Sequence, residues 1–218
     1  MNNINDFHSR IMGVMRSLAA LVVLLWFGIL VSLADTHYVA QGGQTPAPDY
    51  TDWTTAASNI QDAIDIAATV AGDTVLVSNG VYETGGAKVS GYALTNRVAI
   101  TKAIIVRSAN NAPANTIIKG TWASDGSTNG VDSVRCVHMV TNSSLIGFTL
   151  TNGATLASGD GADKRGGGIS SLLGTTNITI SNCVVIGSRA HEYSGGVYAN
   201  YGVTLYNCTI TSNSASGG

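Results

Sequence analysis

Leu145-Ile146-Gly147-Phe148-Thr149-Leu150, Ile180-Ser181-Asn182-Cys183-Val184-Val185 and Leu205-Tyr206-Asn207-Cys208-Thr209-Ile210 are three copies of one pattern, offset by 35 and then 25 residues. Gly167-Gly168-Ile169 likewise recurs as Gly195-Gly196-Val197, and Gly217-Gly218 opens a third copy. Such periods, filled with short β-branched runs, indicate stacked solenoid coils, each burying its inner face only against its neighbours. Ile180, Cys183 and Val185 do not alternate strictly, because parity shifts at Asn182. Asn tolerates the left-handed backbone of a sharp corner, and stacked Asn side chains can hydrogen-bond from coil to coil. The pattern therefore places Asn182 and Asn207 at one corner. It predicts inward stacks of Leu145/Ile180/Leu205, Phe148/Cys183/Cys208 and Leu150/Val185/Ile210, layered ~4.8 Å apart. Cys183 and Cys208 then read as small hydrophobes filling the interior, the alternatives being catalysis or a disulfide.

Upstream, runs rich in β-branched residues cover 98–101, 103–107, 115–119, 134–141 and 145–152, separated by Gly/Asn/Ser/Asp clusters such as residues 123–132. One helix is expected, over 54–72. Thr54 or Thr55 serves as N-cap, Ile60, Ala63, Ile64 and Ala67 form one face, and Gly72 ends it. A first coil exposes an unpaired edge and an open apolar interior, so an amphipathic helix here is expected to cap it. Before the helix lies a polar segment beginning with the short apolar run His37-Tyr38-Val39-Ala40. The fold class is thus all-β, a solenoid of stacked β-coils over 35–218 with regular coils over 134–218; that it is a right-handed parallel β-helix is what the family resemblance given below implies.

Composition narrows function. Charged residues are 11% of 218, with 11 basic and 13 acidic, whereas Ser, Thr and Asn number 21, 23 and 17. That excludes a charge-laced helical protein, and it offers no cationic field for nucleic acid. In stacked coils like residues lie above one another, so repeated charges repel while Ser, Thr and Asn ladders bond. The three cysteines are too few and too scattered for a disulfide framework, and no Cys/His cluster suggests zinc.

Residues 1–34 read as a secretory signal. Arg10 and Arg16 precede an uncharged stretch, and Ser32-Leu33-Ala34 resembles a cleavage site before Asp35; the alternative is an uncleaved anchor. The expected location is therefore secreted; a bacterial cell surface or outer membrane is what the family resemblance described next implies. Contact with membrane would come only through the export route or a C-terminal anchor beyond this sequence.

Asn59-Ile60-Gln61-Asp62-Ala63-Ile64-Asp65, Gly72-Asp73-Thr74-Val75-Leu76-Val77 and Asn79-Gly80-Val81-Tyr82 resemble the opening of right-handed parallel β-helix proteins of the pectin-lyase-like superfamily. The Gly-Gly-Gly-Ile and Asn-Cys-Thr-Ile-Thr-Ser-Asn-Ser-Ala motifs resemble repeats of bacterial surface β-helix proteins of the polymorphic outer-membrane, autotransporter-like type. The resemblance runs from about Tyr38 onward. Members of this kind are usually much longer, which implies that these residues are the N-terminal portion of a longer protein. It implies an adhesin-like, structural or glycan-binding role, or else a polysaccharide-active enzyme, lyase before hydrolase. Lyases of this superfamily place Ca²⁺ on clustered Asp beside an Arg or Lys base; esterases pair Asp with Arg. No such set stands at matching positions.

One charged cluster nevertheless emerges. Residues 153–165 and 187–194 leave the coil at the same place, so they should project side by side, bringing Asp160, Asp163, Lys164, Arg165, Arg189, His191, Glu192 and Tyr193 together. Asp160 and Asp163 offer two carboxylates to Ca²⁺, although no cofactor is required. Lys164, Arg165, Arg189 and His191 are the candidate catalytic groups. The plain alternative is a solvated, charge-balanced loop. Tyr193, Tyr198 and Tyr206 are the candidate ligand-binding aromatics, able to stack on sugar rings or to shield backbone. The Asn-x-Ser/Thr triplets at Asn142, Asn177 and Asn207 are expected by chance in so Asn- and Thr-rich a chain, and are not read as glycosylation sites.

Overall fold

The computed structural model describes residues 34–67, 72–199 and 201–217. The predicted signal therefore lies outside the described residues, except Ala34. Three sheets wind along one axis. The first carries Thr36–Val39, Thr74–Val77, Ile105–Ser108, Ser144–Ile146, Ile178–Ser181 and Val203–Tyr206, hydrogen-bonded in that order. The second carries Gly80–Tyr82, Thr116–Lys119, Thr149–Thr151, Val184–Ile186 and Thr209–Thr211. The third carries Thr95–Ala99, Val134–Met139, Ile169–Ser171 and Val197–Tyr198, with Ala87–Lys88 antiparallel at its edge. All other pairings within the three sheets are parallel. This is a parallel β-helix. The leading run at His37 is not a mere approach to the helix but the first rung, in register with Thr74–Val77.

The inward stacks follow the repeat. Leu145 pairs with Ile180 and Ile180 with Leu205; Leu150 pairs with Val185 and Val185 with Ile210. Phe148 and Cys183 are buried beside them, and Cys208 packs against the same core. In the last rung Leu205 and Ile210 are nearly half exposed, having a neighbour on one side only.

Corners explain why the parity shifts. Asn182 and Asn207 have φ of 51° and 50°, and Gly147 takes the same position with φ 82°. Asn207 donates to Asn182, and Asn182 donates at 3.2 Å to Asn111, itself at φ 49°. Two further columns repeat the device at the same offsets: Asn142, Asn177 and Gly202, then Asn152, Gly187 and Ser212, all with positive φ. Asn177 donates to Asn142 at 2.8 Å. The Asn-x-Ser/Thr triplets at Asn142 and Asn177 are thus corner residues, as Asn207 is. Asn182→Ala removes a ladder member and leaves a residue in the left-handed region without the side-chain hydrogen bonds that favour Asn there. We expect a loss of about 1–2 kcal/mol in urea unfolding, with Asn182→Gly closer to wild type.

The helix is shorter than the sequence pattern suggests, spanning Ile60–Ile66. Its N-cap is Asn59, whose Oδ1 accepts from the Asp62 amide at 3.0 Å. Thr54 and Thr55 instead close a turn on the Asp52 carboxylate. At the other end the Lys102 ammonium donates to the carbonyls of Ile64, Asp65 and Ala67, the acceptors a helix end leaves unpaired. Gly72 lies beyond the Ala67 cap and does not end the helix. Ile60, Ala63 and Ile64 enter the core, and Gln61 exchanges hydrogen bonds with the Ala99 backbone. No helix among the described residues is long and apolar enough to cross a membrane.

Candidate functional site: a groove on the outer face of the third sheet

Register aligns Ala99, His138, Ser170 and Tyr198 as successive partners on the third sheet, the first three buried and Tyr198 half-buried. Two loops stand beside it. The 3-10 turn Gly161–Lys164 is capped by Asp160, which accepts from the Ala162 amide at 2.8 Å. The other loop, around Tyr92, precedes the strand Thr95–Ala99. Between them runs a groove of about 460 Å³, lined by Tyr92, Asp160, Arg165, Leu172, Leu173 and Tyr198 among others.

Buried polar groups hold the groove in shape. Arg135 is almost wholly buried, and its guanidinium donates to the carbonyls of Ala162, Arg165 and Gly166 and to Asn96 Oδ1. Burial lowers its pKa to about 10, with Asp163 opposing that effect. Asp163 is also buried; its two oxygens accept the Ala93 and Leu94 amides, each at 3.0 Å. One loop is thereby tied to the sheet below and to the Tyr92 loop across the groove.

The predicted cluster forms in part. Lys164 and Glu192 lie on adjoining loops, joined by a backbone bond of 2.9 Å and a side-chain contact of 2.6 Å. Arg165 reaches Glu192 at 3.0 Å and Tyr198 Oη at 3.3 Å, and lies over the rings of Tyr193 and Tyr198. The Lys164 hydrogen bond, then that of Arg165, holds the Glu192 carboxyl below its ordinary range against desolvation. Both candidate bases, Lys164 and Arg165, are therefore paired cations. Asp160 and Asp163 do not present a joint carboxylate face, since one caps a turn and the other is committed to backbone amides. Among the described residues no group of three or more His, Cys, Asp or Glu side chains could hold a metal ion.

Other candidates lie elsewhere. Arg189 stacks on Trp122 at 4.6 Å. The His191 amide donates to Thr155, and its Nδ1 is buried without a partner. Tyr206, 69% exposed, belongs to the first sheet, away from Tyr193 and Tyr198. Tyr92, Leu172 and Leu173 were not singled out by sequence pattern. Tyr92 meets the groove through a contact between residues some 70 positions apart, which only the register of the earlier coils could have indicated.

Beneath Tyr92 and Leu172 lies a chamber of about 10 Å³, lined also by Asn96, Arg135 and His138. His138 is buried and its Nε2 has no partner. Burial, then Arg135, lowers its pKa to about 4, below the ~6.5 of an unfolded chain. As pH falls from about 6.5 to 4 the unfolded chain takes up a proton that the folded chain refuses. Stability contributed here is therefore complete above 6.5 and lost by 4, by ~3 kcal/mol in all. Urea unfolding of wild type and His138→Gln across that window should show a steeper loss in wild type than in the variant.

No family model matches this chain, and no curated protein does. Among solved structures, a mutant pectin methylesterase in complex with hexasaccharide IV superposes with a TM-score of 0.51 at 16% identity, over 82% of this chain and 50% of that one. A pectin methylesterase in complex with hexasaccharide VII gives 0.47 at 14% identity, over 83% and 56%. This chain spans about half the length of either. At these identities the likeness is one of fold. The fold is a parallel β-helix, as in the first of these solved structures.

Proposed function

We propose that this chain is a secreted or surface-displayed β-helix protein that binds polysaccharide in the groove beside Tyr92 and Tyr198. The observation that carries the reading is the groove itself. Tyr92 and Tyr198 line a groove whose walls are fixed by buried hydrogen bonds. Rings offer flat apolar faces to sugars, while the exposed Asp160 offers a carboxylate to hydroxyls. The solved neighbour in complex with a hexasaccharide supports the same class of ligand. The helix Ile60–Ile66 fits the part of an end cap, since it packs on the earliest rungs of the first and third sheets. Autotransporter-like display accords with the motif resemblance and with the predicted signal.

A second reading, a polysaccharide-active enzyme, draws on Asp160 and Arg165 standing in one groove. Affinity electrophoresis against pectate, alginate, chondroitin and neutral glucans tests binding. At least one polymer should retard the wild type, and Tyr198→Ala should weaken that binding about tenfold. Folded protein retarded by none of them defeats the proposal. Unsaturated-product absorbance and methyl-ester release, followed in parallel, decide whether chemistry accompanies binding.

A further inference from the structure

The interior column Phe148/Cys183/Cys208 ends in two thiols on adjacent coils. Val184 and Thr209, the next residues, are direct parallel partners, and the Thr209 amide donates to the Cys183 carbonyl at 2.9 Å. In-register parallel neighbours stand ~4.8 Å apart, inside the Cα span that a disulfide bridges. The two side chains pack against the same core on adjacent coils. Each sulfur also lies near carbonyls of its own and the preceding coil: Cys183 by Ser181 and Leu145, Cys208 by Tyr206 and Ile180. Cys136 stands apart, fully buried beside the Thr151 carbonyl.

We infer that Cys183 and Cys208 form a redox-sensitive cross-link between consecutive coils, a modification site that leaves Cys136 reduced. Cys208 is the partly accessible member and Cys183 the buried one. The neighbouring Cys183 thiol lowers the pKa of Cys208, whereas Cys208 raises that of Cys183. Thiolate character, which governs exchange, thus falls on the accessible sulfur. With a small-molecule disulfide as oxidant, the Cys208 thiolate attacks one of its sulfurs and expels one thiolate. Cys183 then loses its proton and attacks Cys208, expelling the second. The two expelled thiolates take up the two protons that the cysteines release, so two protein thiols become one disulfide and one small-molecule disulfide becomes two thiols.

The test treats the purified chain with oxidised glutathione and, separately, with a thiol reductant. Expected is a drop from three titratable thiols to one, a mass lower by about 2 Da, and a Cys183–Cys208 linked peptide. The thermal midpoint of the oxidised form should be higher by roughly 5 °C. Cys136→Ser should oxidise as wild type does, and Cys183→Ser and Cys208→Ser should not. Three titratable thiols persisting in folded protein would overturn the inference, as would a linkage through Cys136 or one formed only between chains. If a serine variant misfolds, the peptide map of wild type alone still decides.

Discussion

Arg135→Met should destabilise the chain by about 3–5 kcal/mol, the largest loss expected from any single side chain. Methionine fills much of the volume but donates nothing. The carbonyls of Ala162, Arg165 and Gly166 and the Asn96 amide oxygen would lose their donor. Asp163, buried nearby, would lose the cation that faces it. Desolvated acceptors left without donors are costly, and a buried carboxylate more so. Arg135→Lys keeps the charge but not the planar fork, so it should fall between the two. Urea unfolding measures both. Because these carbonyls belong to the loop that carries Asp160 and Arg165, polysaccharide binding should weaken in either variant even where it remains folded. A loss below about 1 kcal/mol for Met would mean that the loop is not held from beneath.

Gly167→Ala should cost about 3 kcal/mol or more through a different cause. A Cβ there would stand 2.1 Å from the Arg189 carbonyl oxygen and 2.7 Å from its carbon. Both atoms are backbone of the next coil, so no rotamer relieves the clash and the coils must part. Gly153 and Gly195 meet backbone oxygens in the same way, at 2.0 Å from Gly167 and Ser214. The repeated glycines are therefore contact points at which successive coils nearly touch. Gly174→Ala provides the control, since its Cβ meets nothing within 4 Å while φ is +82°. It should cost only the backbone strain, ~1 kcal/mol. Equal losses at Gly167 and Gly174 in thermal or urea unfolding would refute the packing argument.

How much of this was legible in the sequence depends on which coils are considered. From Asn142 onward the corners at the ends of the first two sheets fall at offsets of 35 and 25 residues, and inner stacks follow directly from aligned copies. Earlier coils carry insertions, at Asn110-Asn111 and in residues 120–133, that hide the same register. Their rungs could be recognised as strands but not aligned. The helix was placed correctly by its apolar face, but its start was misjudged because Asp52 satisfies Thr54 and Thr55 before Asn59 begins the helix.

The site divides along the same line. Stacking of two loops in neighbouring late coils was foreseeable, and Lys164, Arg165, Glu192 and Tyr198 do meet. Tyr92 comes from an early coil, and Asp163 reaches back to it across 70 residues. Arg135 and His138 look like ordinary strand residues until the register sets them beneath the groove. Charge pattern alone gave no sign that Asp163 would be buried and spent on backbone amides.

The central claim is that polysaccharide lies in the groove between the Tyr92 loop and the turn Gly161–Lys164, beside Tyr198. Amide hydrogen exchange of the full chain, with and without a saturating retained oligosaccharide, tests it most directly. Protection should appear at residues 92–94, 160–166, 171–173 and 198, and be absent around Tyr206. Protection confined to the first sheet, or spread evenly over all three, would contradict it.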